Sequence, residues 1–306
     1  MKISIIIPYK ILDKYVKECL DGIRNINYKD YEVILLPDKK TTEDKKYKVI
    51  ETENVKPGTK RNIGVKNSNG EIIAFIDSDA SPEKDWLKNA LRYFEDSNVG
   101  IVGGPNLTPK DANIWEKTNG DCLSMFICSG KAAIRYKIGN NLMNVDELPS
   151  CNLLIRKGLF VDFDENLLTA EDTKLCFQVK DKGKKILYAP DVIVYHHRRD
   201  SFFKHLKQMW VYGRDIALLI KKKFSFDKLY YFSLGFWVLF LFIGSIISIL
   251  NEIFRKIFFG IILIYIIFIL ISSLIKNLRR SILIFVMIIF THLVYGFGFI
   301  YGMIKR

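Results

Sequence analysis

The sequence predicts an α/β domain built on a mostly parallel sheet, followed by a region of three transmembrane helices. Short apolar runs alternate with helix-like segments along the first third of the chain, which is typical of βαβ units. Three stretches near the C-terminus, about residues 229–251, 257–275 and 281–304, carry almost no charge and are long enough to span a bilayer core of about 30 Å. We therefore expect a globular domain over residues 1–228 and a membrane anchor over residues 229–306.

The elements of the domain follow from this alternation. Buried parallel strands read as continuous apolar runs, and such runs lie at residues 2–7, 31–36, 71–76 and 99–103. Helix-like segments lie at about residues 13–25, 57–68 and 83–95. Residues 105–150 have no clear pattern and are a candidate for a substrate-side lobe.

Polar side chains follow three of the predicted strands. They form the clusters Pro8-Tyr9-Lys10, Pro37-Asp38-Lys39 and Asp77-Ser78-Asp79. Because ligands of open α/β sheets bind at the carboxyl ends of strands, all three clusters are candidate ligand contacts.

The third cluster carries two carboxylates separated by one residue. Residues i and i+2 of an extended segment share a face, so Asp77 and Asp79 are able to point at one ligand. Hard oxygen donors suit Mg²⁺ or Mn²⁺, and such an ion in turn holds phosphates. A turn or a helix cap is the alternative for this short sequence taken alone.

The predicted domain has no glycine-rich phosphate loop of either common type. Phosphate would then be held by a metal and by basic side chains. Lys60 and Arg61, near the start of the helix predicted over residues 57–68, are candidates for this role. A capped surface helix is the alternative.

Two further polar clusters lie later in the domain. Glu171 and Asp172 precede a helical pattern, and because adjacent helical residues face about 100° apart, one of them at most points squarely into a pocket. Complementing the helix dipole is the alternative role for this pair. His196 and His197 follow an apolar strand and are either ligands or surface residues.

Charge predicts how the chain meets the membrane. The net charge is +13, and residues 173–228 supply +9 of it, with fourteen Lys and Arg against five Asp. This basic block adjoins the anchor, so anionic lipid head groups explain it better than nucleic acid. An amphipathic segment over residues 202–223 is expected to lie along the membrane surface.

Several signals predict the orientation of the chain. The sequence opens on a predicted strand without a signal-peptide pattern, and its five cysteines lack any Cys-x-x-Cys spacing, which fits a reducing cytosol. The positive-inside bias places the domain and the second loop, residues 276–280, in the cytoplasm. The protein is therefore expected to be a multi-pass protein of the cell membrane, and three crossings would place its C-terminus outside.

In order and spacing, these motifs resemble the family 2 glycosyltransferases of GT-A fold. The resemblance runs over most of residues 2–214. The motifs that carry it are Ser4-Ile-Ile-Ile-Pro8, Glu32-Val-Ile-Leu-Leu-Pro-Asp38, Gly58-Thr-Lys-Arg-Asn-Ile-Gly64, the segment 70–79, the segment 149–156, Glu171-Asp172 and Tyr195-His-His-Arg198.

The resemblance implies roles for individual acids. Asp38 would contact the nucleotide base, Asp77 the nucleoside, and Asp79 the divalent metal that bridges the diphosphate. Asp172 would be the general base, with Glu171 supporting it.

It also implies further contacts around these acids. His196 or His197 would complete the metal or diphosphate site, and Asn152 would lie on the acceptor side. The remaining donor contacts would come from Pro8, Tyr9, Lys60 and Arg61.

The chain departs from the family pattern in two places. Pro37 replaces the first of the two acids that usually end the second strand, which leaves base recognition to Asp38. Residues 208–214 lack the Arg-Trp pair of the processive synthases, so transfer of a single sugar is expected rather than polymer synthesis.

The expected function is inverting, metal-dependent transfer of one sugar from a nucleotide-diphosphate sugar to a lipid-linked or cell-envelope glycan acceptor. One alternative is a polyprenyl-phosphate glycosyltransferase, whose acceptor oxygen is already ionised. A second alternative is a non-catalytic membrane scaffold that keeps the fold. The presence of both Asp79 and Asp172 favours an enzyme over the scaffold.

Overall fold

A computed structural model describes residues 1–39, 47–222, 224 and 226–305. These residues form two compact units. The first comprises residues 1–112 and 134–197, and the second comprises residues 113–133 with the described residues from 198 onward. The last residue of the predicted interfacial segment, Lys223, and the C-terminal Arg306 lie outside the described residues.

The described strands all belong to the first unit. They are β1 (Ile3–Pro8), β2 (Tyr31–Leu36), β3 (Lys48–Val49), β4 (Ile72–Phe75), β5 (Ala80–Pro82), β6 (Val99–Gly103), β7 (Asn106–Leu107), β8 (Met143–Asn144), β9 (Leu153–Arg156), β10 (Lys185–Tyr188) and β11 (Val194–His196). Eight form a central sheet in the order β3-β2-β1-β4-β9-β6-β10-β8, and three form a small sheet in the order β5-β11-β7. In the central sheet β3, β2, β1 and β4 run parallel, whereas β9 is antiparallel to both β4 and β6.

The helices divide between the two units. The first unit contains α1 (Lys14–Arg24), α2 (Pro57–Lys66), α3 (Trp86–Tyr93) and α6 (Glu171–Asp181). The second contains α4 (Ile114–Leu123), α5 (Phe126–Ser129), α7 (Phe202–Lys222), α8 (Ser233–Leu250), α9 (Glu252–Lys276) and α10 (Ser281–Ile304). The predicted α/β alternation with a mostly parallel sheet is confirmed, with each predicted strand shifted by one or two residues at most.

Both faces of the central sheet are buried. Ile3, Ile5 and Ile7 of β1 point into one core cluster, whereas Ile6 points into another with Ile34 of β2. Successive side chains of a strand alternate between faces, so a strand covered on both sides needs apolar residues throughout. This explains why β1 reads as an uninterrupted apolar run.

Three helices of the second unit are long and apolar enough to cross a membrane, as predicted. They lie at Lys228–Leu250, Glu252–Lys276 and Leu278–Ile304. The second begins five residues earlier than its predicted start at residue 257, because the Asn251 side chain accepts a hydrogen bond from the Phe254 backbone N–H and caps the helix. Residues 113–133, which interrupt the first unit, pack with these helices through Cys122 and Ile284.

Candidate active site

Pairing of β5 with β11 builds the centre of the site. In this antiparallel pair His196 lies opposite Ala80, the residue that directly follows Asp79. The His197 backbone N–H donates to the Asp79 carbonyl oxygen at 3.0 Å, which fixes the register. His196 Nε2 consequently lies 3.1 Å from Asp79 Oδ1.

The two histidines face different neighbours. His196 lies with the acids that follow β4, whereas His197 Nε2 lies 3.0 Å from Glu18 Oε2 on α1. The ring of His197 also packs on Tyr15, with 4.7 Å between ring centroids. Of the two histidines left open by the sequence, His196 is the one beside Asp79.

Asp77, Asp79 and His196 offer a donor set that fits a divalent cation. One ligand atom from each lies within 4.8 Å of the others. Two carboxylates and one imidazole suit Mn²⁺ well and leave room for phosphate oxygens in the coordination shell. Burial lowers the pKa of His196, but the neighbouring Cys151 and Asp79 raise it to about 10, so metal binding at this imidazole would release a proton.

Lys60 holds the ends of the first two strands. Its ammonium group donates to the carbonyl oxygens of Tyr9 at 2.6 Å and Leu36 at 3.2 Å, and to the carboxylate of Asp38. The lysine side chain is almost fully buried. Lys60 therefore fixes Asp38 at the edge of the sheet, next to the end of β1 at Pro8, and its donors are already occupied.

Arg61 links the acids that follow β4 to those that open α6. Its guanidinium donates to Asp77 Oδ1 at 2.6 Å and to Glu171 Oε1 at 3.0 Å, and its side chain is 4% exposed. A charged group this deeply buried is stable only when paired. Arg61 therefore positions one carboxylate that follows β4 and one that opens α6, which the sequence alone did not predict.

Glu171 and Asp172 diverge at the start of α6. Glu171 faces Arg61, whereas Asp172 accepts hydrogen bonds from the backbone N–H groups of Ser150 at 3.0 Å and Thr173 at 2.8 Å. Burial raises the pKa of Asp172, and the Ser150 N–H opposes the shift. Ala170, just before the helix, has a left-handed φ of 64°, a costly conformation for a residue other than glycine that is often found at functional sites.

Glu171→Gln should change how stability depends on pH. Burial raises the pKa of Glu171 from 4.5 to about 7, with Asp172 adding to the rise and Arg61 opposing it. Between these two values the folded protein holds a proton that the unfolded chain has released, so stability falls as pH rises through this window. The melting temperature of the wild type relative to Glu171→Gln should therefore fall from pH 4.5 to about 7 and then level off. Thermal unfolding of both metal-free proteins in detergent measures this, and a constant difference would contradict it.

Asn152 lies in the interior instead of at an acceptor surface. It is fully buried, its Oδ1 accepts from the Trp86 indole at 2.8 Å, and its Nδ2 donates to the carbonyl oxygens of Val192 and Pro105. These bonds link β9 to the segments beside β7 and β11. The acceptor role implied by the sequence resemblance is therefore not part of our proposal.

Asn152→Ala should lower stability without changing acceptor recognition. The substitution leaves the buried Trp86 N–H and two carbonyl groups without their partner, at a cost of roughly 3 kcal/mol. We expect a lower melting temperature, while the Michaelis constant for the acceptor is unchanged in the folded protein. Asn67→Ala, at an exposed position, is the control. An unchanged melting temperature together with a higher Michaelis constant for the acceptor would instead support a role of Asn152 in acceptor binding.

Residues around Asp172 were missed by the sequence reasoning. Arg135 donates to Glu147 at 3.1 Å, and both side chains are largely buried. Their charges act on the pKa of Asp172 in opposite directions. Ser150 lies inside a noted motif, but its contribution is a backbone N–H, which no side-chain pattern reveals.

Comparison with known sequences agrees with this geometry. A family model described as glycosyl transferase family 2 matches residues 4–148. Methanococcus voltae has a relative named dolichyl N-acetyl-alpha-D-glucosaminyl phosphate 3-beta-D-2,3-diacetamido-2,3-dideoxy-beta-D-glucuronosyltransferase, which is 28% identical over 99% of this chain and 97% of its own length. The glycosyltransferase AglE of Haloferax volcanii is 26% identical over 78% of this chain and 80% of its own length.

Comparison with solved structures supports the fold. The mannosyltransferase PcManGT from Pyrobaculum calidifontis, solved in complex with GDP-Man and Mn²⁺, superposes with a TM-score of 0.55 at 18% identity. The match covers 72% of this chain and 64% of that one. The family model and the named relatives therefore show that the chain is a glycosyltransferase with a family 2 domain over residues 4–148, and this GT-A domain is accompanied by three long apolar C-terminal helices.

Proposed function

We propose that this glycosyltransferase moves one sugar, with inversion, from a nucleotide-diphosphate sugar to a hydroxyl group of a lipid-linked or cell-envelope glycan. The approach of Asp77, Asp79 and His196 to within 4.8 Å of one another carries the proposal. Three side chains from two distant parts of the sequence converge there at the carboxyl end of β4. A divalent cation, Mg²⁺ or Mn²⁺, bound by Asp79 and His196 would stabilise the diphosphate leaving group.

The donor half of the site is assigned to the residues around the first strands. Asp38, fixed by Lys60, would receive the nucleotide base, and Asp77, fixed by Arg61, would receive the nucleoside. Lys60 would act by positioning Asp38 rather than by touching phosphate, because its ammonium group already donates to three oxygens. Arg61 would position Asp77 and Glu171, and its buried Nε is a further donor that these two hydrogen bonds do not use. The GDP-Man and Mn²⁺ in the Pyrobaculum calidifontis structure support this class of donor.

The acceptor half is assigned from chemistry and from the relatives. The name of the Methanococcus voltae protein specifies a dolichyl-linked sugar phosphate as its acceptor, and this chain covers nearly the whole of that relative. A lipid-linked sugar also suits a protein with three apolar helices, because such an acceptor is confined to the membrane.

Asp172 is the proposed general base. Two backbone N–H groups hold its carboxylate, and its raised pKa makes the ionised form a better proton acceptor. With Asp172 taking the proton of the attacking hydroxyl and the diphosphate leaving from the other face of the sugar, the anomeric configuration inverts.

A transfer assay with the purified full chain tests the proposal. Nucleotide sugars are offered with two acceptors, a polyprenyl-phosphate-linked N-acetylglucosamine and the bare polyprenyl phosphate, with Mn²⁺ or with a chelator. We expect metal-dependent transfer to the sugar hydroxyl, with an inverted linkage by NMR. Transfer to the bare phosphate alone would favour the polyprenyl-phosphate glycosyltransferase, and a retained configuration would exclude the proposed mechanism.

A further inference from the structure

The loop between α9 and α10 is tied to α4. Arg280 donates from Nε at 2.9 Å and from Nη2 at 2.6 Å to one carboxylate oxygen of Asp121, and Lys276 Nζ lies 4.0 Å from the other oxygen. No helix apolar enough to cross a membrane lies in the described residues before α4. The loop 276–280 is therefore on the same side of the membrane as the N-terminal residues.

The start of α7 is tied to α4 as well. Asn119 Nδ2 donates to the carbonyl oxygen of Arg199 at 2.7 Å, and the rings of Trp115 and Phe202 pack with centroids 5.9 Å apart. Both contacts lie at the N-terminal end of α7. This helix thus begins on the side that holds the loop 276–280.

From that point α7 runs beside the second half of α10, in the same direction. His205 Nε2 lies 2.8 Å from Thr291 Oγ1, and sixteen residues later Lys221 Nζ donates to the carbonyl oxygen of Met303 at 3.0 Å. The two helices touch closely between these points, because a Cβ atom added at Gly213 would lie 2.2 Å from the Tyr295 carbonyl oxygen. The C-terminal ends of α7 and α10 therefore lie at the same depth.

The composition of α7 is poorly suited to crossing a bilayer. Its charged residues are Lys204, Lys207, Arg214, Asp215, Lys221 and Lys222, and each charge at the bilayer centre costs several kcal/mol. Phe203, Lys207 and Trp210 are exposed on one helix face. An aromatic and basic face of this kind is typical of a helix that lies in the membrane interface.

We propose that α10 does not cross the bilayer and lies beside α7 in the interface, on the side of the loop 276–280. One stripe of its surface would then rest in the lipid of that leaflet. The stripe consists of the exposed residues Ile282, Val286, Phe290, Phe297, Tyr301 and Ile304. The hairpin of α8 and α9 would then cross the bilayer, and Asn251, between the two helices, would lie on the side opposite the loop 276–280.

The start of α8 fits this arrangement. A Cβ atom added at Gly235 would lie 3.0 Å from the Phe299 ring, and one added at Gly296 would lie 2.4 Å from the Leu234 carbonyl oxygen. The first turn of α8 is thus beside the second half of α10. In a hairpin that crosses the bilayer twice, the start of α8 and the end of α9 lie on the same side of the membrane. This requires the second half of α10 to lie on the side of the loop 276–280.

The distribution of charge agrees with the arrangement. At the C-terminal end of α7 and the ends of the apolar helices, the cations that would share the side of the loop are Lys221, Lys222, Lys228, Lys276, Arg279, Arg280 and Lys305. Two cations, Arg255 and Lys256, would lie near the far end beside Glu252. The positive-inside bias is then stronger than with three crossings, which place Lys305 outside.

Peptide tags on the full chain test the proposal. One tag precedes Met1, one follows Arg306, and one is inserted between Asn251 and Glu252. In intact spheroplasts treated with a membrane-impermeant protease, we expect the tag at Asn251 to be cleaved, while both terminal tags are protected until the membrane is permeabilised. Cleavage of the C-terminal tag with protection of the N-terminal tag would overturn the proposal.

The depth of labelled side chains in the bilayer tests the same proposal in a protein without the inserted tag. In proteoliposomes of the Cys128→Ser variant, nitroxide labels are placed at Phe290→Cys in α10 and at Ile264→Cys in α9, both exposed positions. We expect the ratio of oxygen accessibility to accessibility for a water-soluble relaxing agent to be clearly lower at position 290 than at position 264, because position 290 would lie in the outer part of one leaflet and position 264 near the bilayer centre. Equal burial of both labels at the bilayer centre would overturn the proposal.

Discussion

Asp79→Ala is expected to abolish metal-dependent binding of the nucleotide-sugar donor and to lower transfer by at least about 10²–10³-fold. Asp79 contributes the carboxylate that lies beside His196, and a diphosphate alone cannot complete the coordination shell of the cation. Calorimetric titration of the nucleotide with and without Mn²⁺ measures the effect. An unchanged Mn²⁺-dependent affinity would remove Asp79 from this role.

The two adjacent histidines provide a matched control for the same site. His196→Ala should weaken the Mn²⁺-dependent affinity, because this imidazole belongs to the proposed ligand set. His197→Ala should leave the affinity near that of the wild type, because its ring contacts Glu18 and Tyr15 on α1. A larger loss in the His197 variant would reverse the assignment of the two residues.

Asp172→Asn is expected to preserve donor affinity and to lower transfer to a sugar hydroxyl by about 10²–10⁴-fold. The amide keeps the size of the side chain, and its single oxygen is still able to accept one of the two N–H groups, from Ser150 or Thr173, which bind different carboxylate oxygens of Asp172. It no longer accepts the proton of the attacking hydroxyl. Turnover with saturating donor and a polyprenyl-linked sugar measures the effect.

Glu171→Gln is the neighbouring control for this variant. Glu171 faces Arg61, so its loss should disturb the positioning of Asp77 without removing the base, and the decrease in turnover should be smaller. Near-wild-type turnover of Asp172→Asn with a sugar hydroxyl would rule out the base assignment. Near-wild-type turnover with a polyprenyl phosphate would instead favour the alternative acceptor.

The central sheet was predictable because its strands are buried on both faces. Ile3, Ile5 and Ile7 pack in one core cluster and Ile6 packs in the other. The strand therefore appears in the sequence as an uninterrupted run of apolar residues. The place of Asp77 and Asp79 at the end of β4 was predictable for the same reason, since the position of a strand fixes the position of the residues that follow it.

The partners of these acids depend on contacts between distant segments and were not predictable from spacing. The choice of His196 over His197 depends on the pairing of β11 with β5, which joins residues more than one hundred positions apart. Arg61 resembles a surface residue in the sequence, but the fold buries it between Asp77 and Glu171. Likewise, a polar residue such as Asn152 gives no local sign that it is fully buried.

Release of nucleotide from a panel of nucleotide sugars by the purified full chain, with and without Mn²⁺, tests the central assignment most directly. The site built by Asp77, Asp79 and His196 predicts that at least one donor releases its nucleotide only when the cation is present. Asp79→Ala should remove this activity. Glu95→Ala, at an exposed position outside the site, should retain it. Equal release in the presence of a chelator, or equal release by the Asp79 variant, would contradict a metal-assisted transfer at this site.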